Sequence, residues 1–240
     1  MSSTTANAKK SPIVPLLIAL AAVVALIVIV VRGQDEANSS STPPTVSSEG
    51  QSPDETWEGL VRREPGDPLA RGEVDAPVVM LSYSEFQCPF CGKFARDTEP
   101  LLVEEYVEDG TLRIEWRDFP YLGPESLVAA TAGRAAAEQD MFWEFQEAMY
   151  ADKLPPNSGR LDETYLASVA EGVGLDVDQF LEDMSSPAAE RAVTQDFNEG
   201  QAVGITGTPA FLINGVPVIG AQPTEVFKAA IEKAAEEAGS

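Results

Sequence analysis

Cys88 and Cys91 are the only cysteines in a 240-residue chain without histidine, set in the stretch Glu-Phe-Gln-Cys-Pro-Phe-Cys. Four kinds of chemistry use thiols at this spacing. A structural zinc site needs four nitrogen or sulfur ligands, and two thiols without histidine fall short. A copper carrier with cysteine and histidine ligands fails for the same reason. A purely structural disulfide would close a very small loop, where the entropic gain is least. The remaining reading is a redox-active dithiol, in which Cys88 forms the thiolate and Cys91 resolves a mixed disulfide. No metal or cofactor is expected.

The neighbouring elements favour the redox reading. Residues 77–84, PVVMLSYS, form a short apolar run of β-forming residues and predict a buried strand. The stretch PFCGKFARDTEPLLVEEYVEDG then predicts a helix with Phe94, Leu101, Leu102 and Tyr106 facing inward. Pro100 should kink it and Gly110 end it. Cys88 thus falls at a helix N-terminus, where the dipole favours a thiolate, with Cys91 one turn further in.

Beyond the pair, TLRIEWRDF (111–119) alternates apolar and polar residues, the pattern of a strand with one buried face. Residues 125–203 read as mostly helical, with a break at LPPNSG. TPAFLING and VPVIG predict two strands joined at Asn214-Gly215, a strong hairpin signal. PTEVFKAAIEKAAEEAG closes the chain as a helix. This order predicts one sheet with helices packed on it and the helical insert as a separate lobe.

The N-terminal quarter has a different composition. Ile13 to Val31 carries no charged or polar side chain and, as a helix, would span roughly 28 Å, about a bilayer's hydrocarbon thickness. The run is longer than a signal-peptide core, and no A-x-A cleavage pattern follows it. The reading is therefore an uncleaved anchor (13–31) behind a cytoplasmic lead (1–12), with Lys9 and Lys10 keeping the N-terminus inside. Residues 32–56, rich in Ser, Thr and Pro, read as a solvated tether, and 57–240 as an extracytoplasmic domain. The 39 acidic against 16 basic side chains, a net charge of −23, argue against nucleic acid as a partner.

The strand before F-Q-C-P-F-C, the stretch AAAEQDMFWEFQEAMY, the segment VGITGTPAFLING and the closing P-T-E-V-F helix together resemble the DsbA-like branch of the thioredoxin superfamily, in its membrane-anchored form. The resemblance covers about Ala76 to Ala238. It implies an α/β thioredoxin-like fold, a central mixed sheet flanked by helices, with an inserted helical domain at about 125–203. It also implies that Cys88 is the exposed, attacking cysteine and Cys91 its buried partner. Pro89 and Phe90 would tune the motif, Pro209 would be a cis-proline facing the disulfide, and Thr208 would offer backbone groups to a bound peptide. Thiol-containing or unfolded extracytoplasmic proteins would be the substrates, with reoxidation by a membrane quinone-linked partner.

Two departures stand out. Ser82 occupies the place where many superfamily members carry a buried acid. Phe90 stands where the strongest oxidants carry histidine. Glu85 is nearer the motif and reads as an exposed loop carboxylate. The Cys88 pKa is expected between about 4.5 and 6.5, reached with help from backbone N–H groups or from Lys93 and Arg96. The resulting expectation is a membrane-tethered, disulfide-forming oxidase. The same site run as a reductase or isomerase is the alternative, and an anchored peptide-binding module the alternative of another class.

Overall fold

A seven-residue strand with apolar or small side chains on both faces can sit only between covering layers, and that is where Val78–Ser84 lies. The computed structural model describes residues 57–239. It contains one five-stranded sheet of β1 (Ala70–Arg71), β2 (Val78–Ser84), β3 (Leu112–Asp118), β4 (Ala210–Ile213) and β5 (Val216–Ile219), in the order β1-β3-β2-β4-β5. β2 runs parallel to β3, from Val78 opposite Leu112 to Ser84 opposite Asp118, and antiparallel to β4. The sheet is mixed, as the resemblance implies.

Parallel neighbours need a crossover, supplied here by α1 (Pro89–Asp97), α2 (Glu99–Leu102) and a π-helical continuation at Val103–Val107. The helix is interrupted at Thr98, close to Pro100, which has no N–H to give. The interruption turns the second segment about its axis. Phe94, Leu102 and Tyr106 pack inward, but Leu101, expected on the same face, is 45 % exposed. Gly110 ends the segment at φ +83°.

β3 departs from its one-sided reading: all seven of its residues are buried. Leu112, Ile114 and Trp116 lie in apolar clusters, as the alternation implies. The charged face is covered as well, because its charges are paired. Glu115 accepts from Arg113 Nε and Arg117 Nη2, both at 2.9 Å, and from the backbone N–H groups of Arg62 and Arg63 at 3.1 and 2.9 Å. Arg117 Nε also reaches Glu199 at 3.0 Å. Burying such charges is tolerable only when each finds partners.

The helical insert comprises α3 (Pro124–Ala137), α4 (Phe142–Ala151), α5 (Glu163–Val173), α6 (Val177–Met184) and α7 (Pro187–Ala202). Asp162, Asp176 and Ser186 cap α5, α6 and α7 by accepting from the N–H groups of Tyr165, Gln179 and Ala189. The insert is not a lobe apart. Phe86 and Trp116 share one cluster with Phe142, Phe145 and Phe180, and Asp196 of α7 accepts the Asp118 N–H at 3.1 Å. One apolar cluster runs through both: the alanine-rich face of α3 and the aromatics of α4 pack on Leu166 and Phe180 within the insert and on Phe86 and Trp116 beside the sheet.

β4 and β5 form the expected hairpin, with Asn214 and Gly215 at φ +42° and +82°. Helix α8 (Thr224–Ala238) lays Phe227 and Ile231 beside Phe94 and Phe211. Among the described residues no helix is long and apolar enough to cross a membrane. The expected lead, anchor and tether, 1–56, lie outside the described residues.

Candidate active site

β2 ends at Ser84, the chain turns through residues 85–88, and α1 begins at Pro89. Proline suits the first helical position because its missing N–H has no helical partner there. Cys88 is the N-cap, with extended backbone (φ −74°, ψ 117°), and its carbonyl accepts the Gly92 N–H at 3.1 Å. Its sulfur therefore sits where the first N–H groups of α1 converge.

Both cysteines are free thiols here, and both are buried, Cys88 at 4 % and Cys91 at 1 % exposure. The expectation of an exposed Cys88 is corrected. The chain around residue 208 lies over it, and the Cys88 thiol donates to the Thr208 carbonyl at 3.3 Å. The Thr208–Pro209 peptide is cis. Phe90, between the two cysteines, is 63 % exposed.

The two thiols are driven apart electrostatically. Hydrogen bonding from the Cys91 thiol is the largest influence on Cys88. Burial opposes it, while the Thr208 side chain and the backbone N–H groups of Cys91 and Phe90 reinforce it, bringing the Cys88 pKa down to about 6. Burial first, then the neighbouring Cys88 thiolate, push Cys91 well above its ordinary value. Lys93 and Arg96 are not among the leading causes and are engaged elsewhere. Lys93 pairs with Asp97 at 3.0 Å, and Arg96 donates to the Tyr150 carbonyl at 2.6 Å. Of the two expected sources, backbone N–H groups or the nearby cations, the N–H groups at the helix start are the ones among the leading causes.

Glu85 is a second correction: it is 2 % exposed rather than a loop carboxylate in water. Neither of its carboxylate oxygens makes a well-formed hydrogen bond. Burial pushes its pKa up to about 7, and the Cys88 thiolate adds to the rise, while Ser126 and the Leu122 backbone pull back only in part. The turn that carries it is pinned by Tyr150, whose hydroxyl donates to the Glu85 carbonyl at 2.9 Å.

Two neighbours escaped sequence reasoning. Tyr121 lies beside Thr208 and Gly207, and its phenol is held up by burial and then by the Cys88 thiolate. Ser84 interacts with the Cys91 thiol. Only their positions, at the C-terminal end of β2 and just after β3, offered a signal.

The chain matches the thioredoxin family over residues 64–233. It is 30 % identical over 148 residues to the probable disulfide bond formation protein D of Bacillus cereus, covering 60 % of this chain and 68 % of that protein. It is also 32 % identical to the Na(+)/H(+) antiporter NhaA 3 of Salinispora tropica over 73 % of its own length, but spans only 26 % of that protein. Among solved structures, Wolbachia pipientis alpha-DsbA1 superposes with a TM-score of 0.67 at 26 % identity, covering 76 % of this chain and 97 % of the other. Oxidised BdbD from Bacillus subtilis shares the fold, with a TM-score of 0.66 at 22 % identity over 71 % and 94 % of the two chains. With its thioredoxin-like sheet, its helical insert and its paired cysteines at the start of α1, the chain belongs to the DsbA-like thiol–disulfide oxidoreductases of the thioredoxin family.

Proposed function

We propose that Cys88 and Cys91 are the redox couple of a disulfide-forming oxidase that works outside the cytoplasm, tethered through residues 13–31. What supports this reading is the placement of the two thiols, Cys88 at the N-cap of α1 against the Thr208 carbonyl and Cys91 buried one turn further in, which draws the first down to about 6 and pushes the second up. Stabilising the Cys88 thiolate stabilises the reduced pair, and a stabilised reduced form makes its disulfide a stronger oxidant.

The reaction moves two electrons from a substrate dithiol to the enzyme. A substrate thiolate attacks Sγ of Cys88 in the Cys88–Cys91 disulfide. That bond breaks, a mixed disulfide forms, and Cys91 departs as a thiolate that takes up a proton. A second substrate thiolate then attacks the substrate sulfur of the mixed disulfide. Cys88 leaves as the thiolate, and the substrate keeps the new disulfide. Thr208 and Pro209 would line the edge on which an extended substrate lies. Pro89 would start α1 cleanly, and Phe90 would give its N–H to the thiolate and its ring to the surface. A quinone-linked membrane partner would take the electrons and restore the disulfide.

The equilibrium potential of the pair against glutathione buffers tests the direction. A value near or above about −150 mV supports the oxidase, whereas about −250 mV or lower assigns a reductase. Cys88→Ser should abolish turnover, and Cys91→Ser, offered a substrate that already carries a disulfide, should accumulate the mixed disulfide, because Cys88 attacks it and no second thiol resolves it. Turnover that survives Cys88→Ser would remove this couple from the mechanism.

A further inference from the structure

Beside Cys88, on the side of α1 that faces the helical insert, lies a pocket of about 200 Å³. Phe86, Met149 and Leu154 contribute apolar walls, and Cys88 itself forms part of the lining. This volume falls below the ~300–1,000 Å³ of sites that hold drug-sized ligands, so it suits one side chain rather than a cofactor.

Its charge is opposite to that of the molecule. Acidic side chains outnumber basic ones 39 to 16, yet none lines this pocket, while Arg96 and Lys153 both do. Arg96 spends one donor on the Tyr150 carbonyl, which leaves its charge unneutralised. Asp97, an exposed acid that both cations influence, is held by Lys93 at 3.0 Å.

We propose that this pocket is a substrate subsite, taking an apolar residue next to the substrate cysteine while Arg96 and Lys153 hold a carboxylate beside it. The inference rests on the redox reading of Cys88 and adds a sequence preference to it. Apolar burial would supply affinity and the cations orientation, since exposed charges give specificity more than binding strength. A global charge of −23 repels acidic peptides, so a preference for them would have to come from a local site.

The test uses the oxidised full-length protein and reduced two-cysteine peptides that differ only after one cysteine: Leu-Glu, Leu-Gln or Leu-Lys. At low salt, kcat/KM should favour Leu-Glu over Leu-Gln by about 3- to 5-fold, with Leu-Lys slowest, and high salt should level the three. Lys153→Glu, an exposed position, should invert the ratio between Leu-Glu and Leu-Lys. Equal rates for Leu-Glu and Leu-Gln at low salt would overturn the subsite and leave the redox reading intact. So would an unchanged ratio in the variant. Failure of the native protein to oxidise any of the peptides would instead overturn the redox reading, and the subsite with it.

Discussion

The backbone N–H of Cys88 donates to the carbonyl of Glu85 at 3.3 Å, so one tight turn ties a buried carboxyl to the thiol it opposes. The Cys88 thiolate, formed near pH 6, helps hold the Glu85 carboxyl protonated up to about 7. Glu85→Gln should therefore leave the Cys88 pKa near 6, measured by thiolate absorbance or pH-dependent alkylation, whereas Cys88→Ser should lower the pKa of Glu85. The same group affects stability. Its folded pKa, about 7, lies above the ordinary 4.5, so the folded state holds the extra proton and stability falls as pH rises between those values. Relative to the native protein, Glu85→Gln should gain on the order of 2 kcal/mol between about pH 4 and pH 8 in denaturant titrations. A pH-independent difference would show that Glu85 does not titrate in this range.

Thr208 offers a hydroxyl that is buried and makes no well-formed hydrogen bond in the dithiol, yet favours the Cys88 thiolate. Thr208→Val keeps the shape and removes that donor. The Cys88 pKa should climb by about half to one unit, and the disulfide should become a weaker oxidant. An unchanged pKa would leave the backbone N–H groups and Cys91 as the sole source of the depression.

Glu115 answers to acid in the opposite sense from Glu85. Its burial opposes ionisation, but Arg113, the N–H groups of Arg63 and Arg62, and Arg117 overcome it and bring the pKa down to about 2. The stability it contributes is complete above about pH 4.5 and is lost as pH falls towards 2. Glu115→Gln should cost about 3–5 kcal/mol at neutral pH, since it leaves buried guanidinium groups short of a partner. The gap from the native protein should narrow through that acid window, as followed by chemical denaturation.

Gly133 of α3 has no room for a side chain. A Cβ there would meet the Phe86 ring at 2.9 Å and Phe142 at 3.2 Å. Phe86 is itself fixed against Trp116, Phe145 and Tyr150, with centroids 5.5, 6.0 and 5.7 Å away. Gly133→Ala gains ~1 kcal/mol of helix propensity but overpacks the junction by about 1–3 kcal/mol. A net loss of up to about 2 kcal/mol in thermal unfolding is expected.

The features legible in the sequence were those with a local cause. The apolar run at 78–84 reads as a central strand, Asn214-Gly215 as a hairpin, and Cys88-Pro-Phe-Cys91 as a helix-start dithiol, because each depends on neighbouring residues alone. Three misreadings share the opposite property. Alternation along β3 could not disclose that Glu199, far along the chain, would pair with Arg117, or that the Arg62 backbone N–H would donate to Glu115, together sealing the second face. Leu101 and Leu102 were not separable, since the interruption at Thr98 decides which faces inward. Glu85 looked solvent-exposed because Ser126 and Tyr150, which help enclose it, belong to the insert. Thr208 comes from the other end of the fold, 120 residues after Cys88, and the family resemblance rather than any local pattern pointed to it.

The donors on Glu115 also set where an excised fragment can begin. A cut at Asp67, just ahead of β1, would keep every strand and helix of the sheet and its insert. It would nevertheless remove the Arg62 and Arg63 N–H groups from Glu115, the Leu60 carbonyl from Arg117 and the Arg62 guanidinium from Asp196. With the Glu64 carbonyl lost from Arg113 as well, four buried charges would be left short of partners at once. The smallest autonomous piece of this protein is therefore defined by its ion pairs rather than by its secondary structure, and its N-terminal limit lies before Leu60.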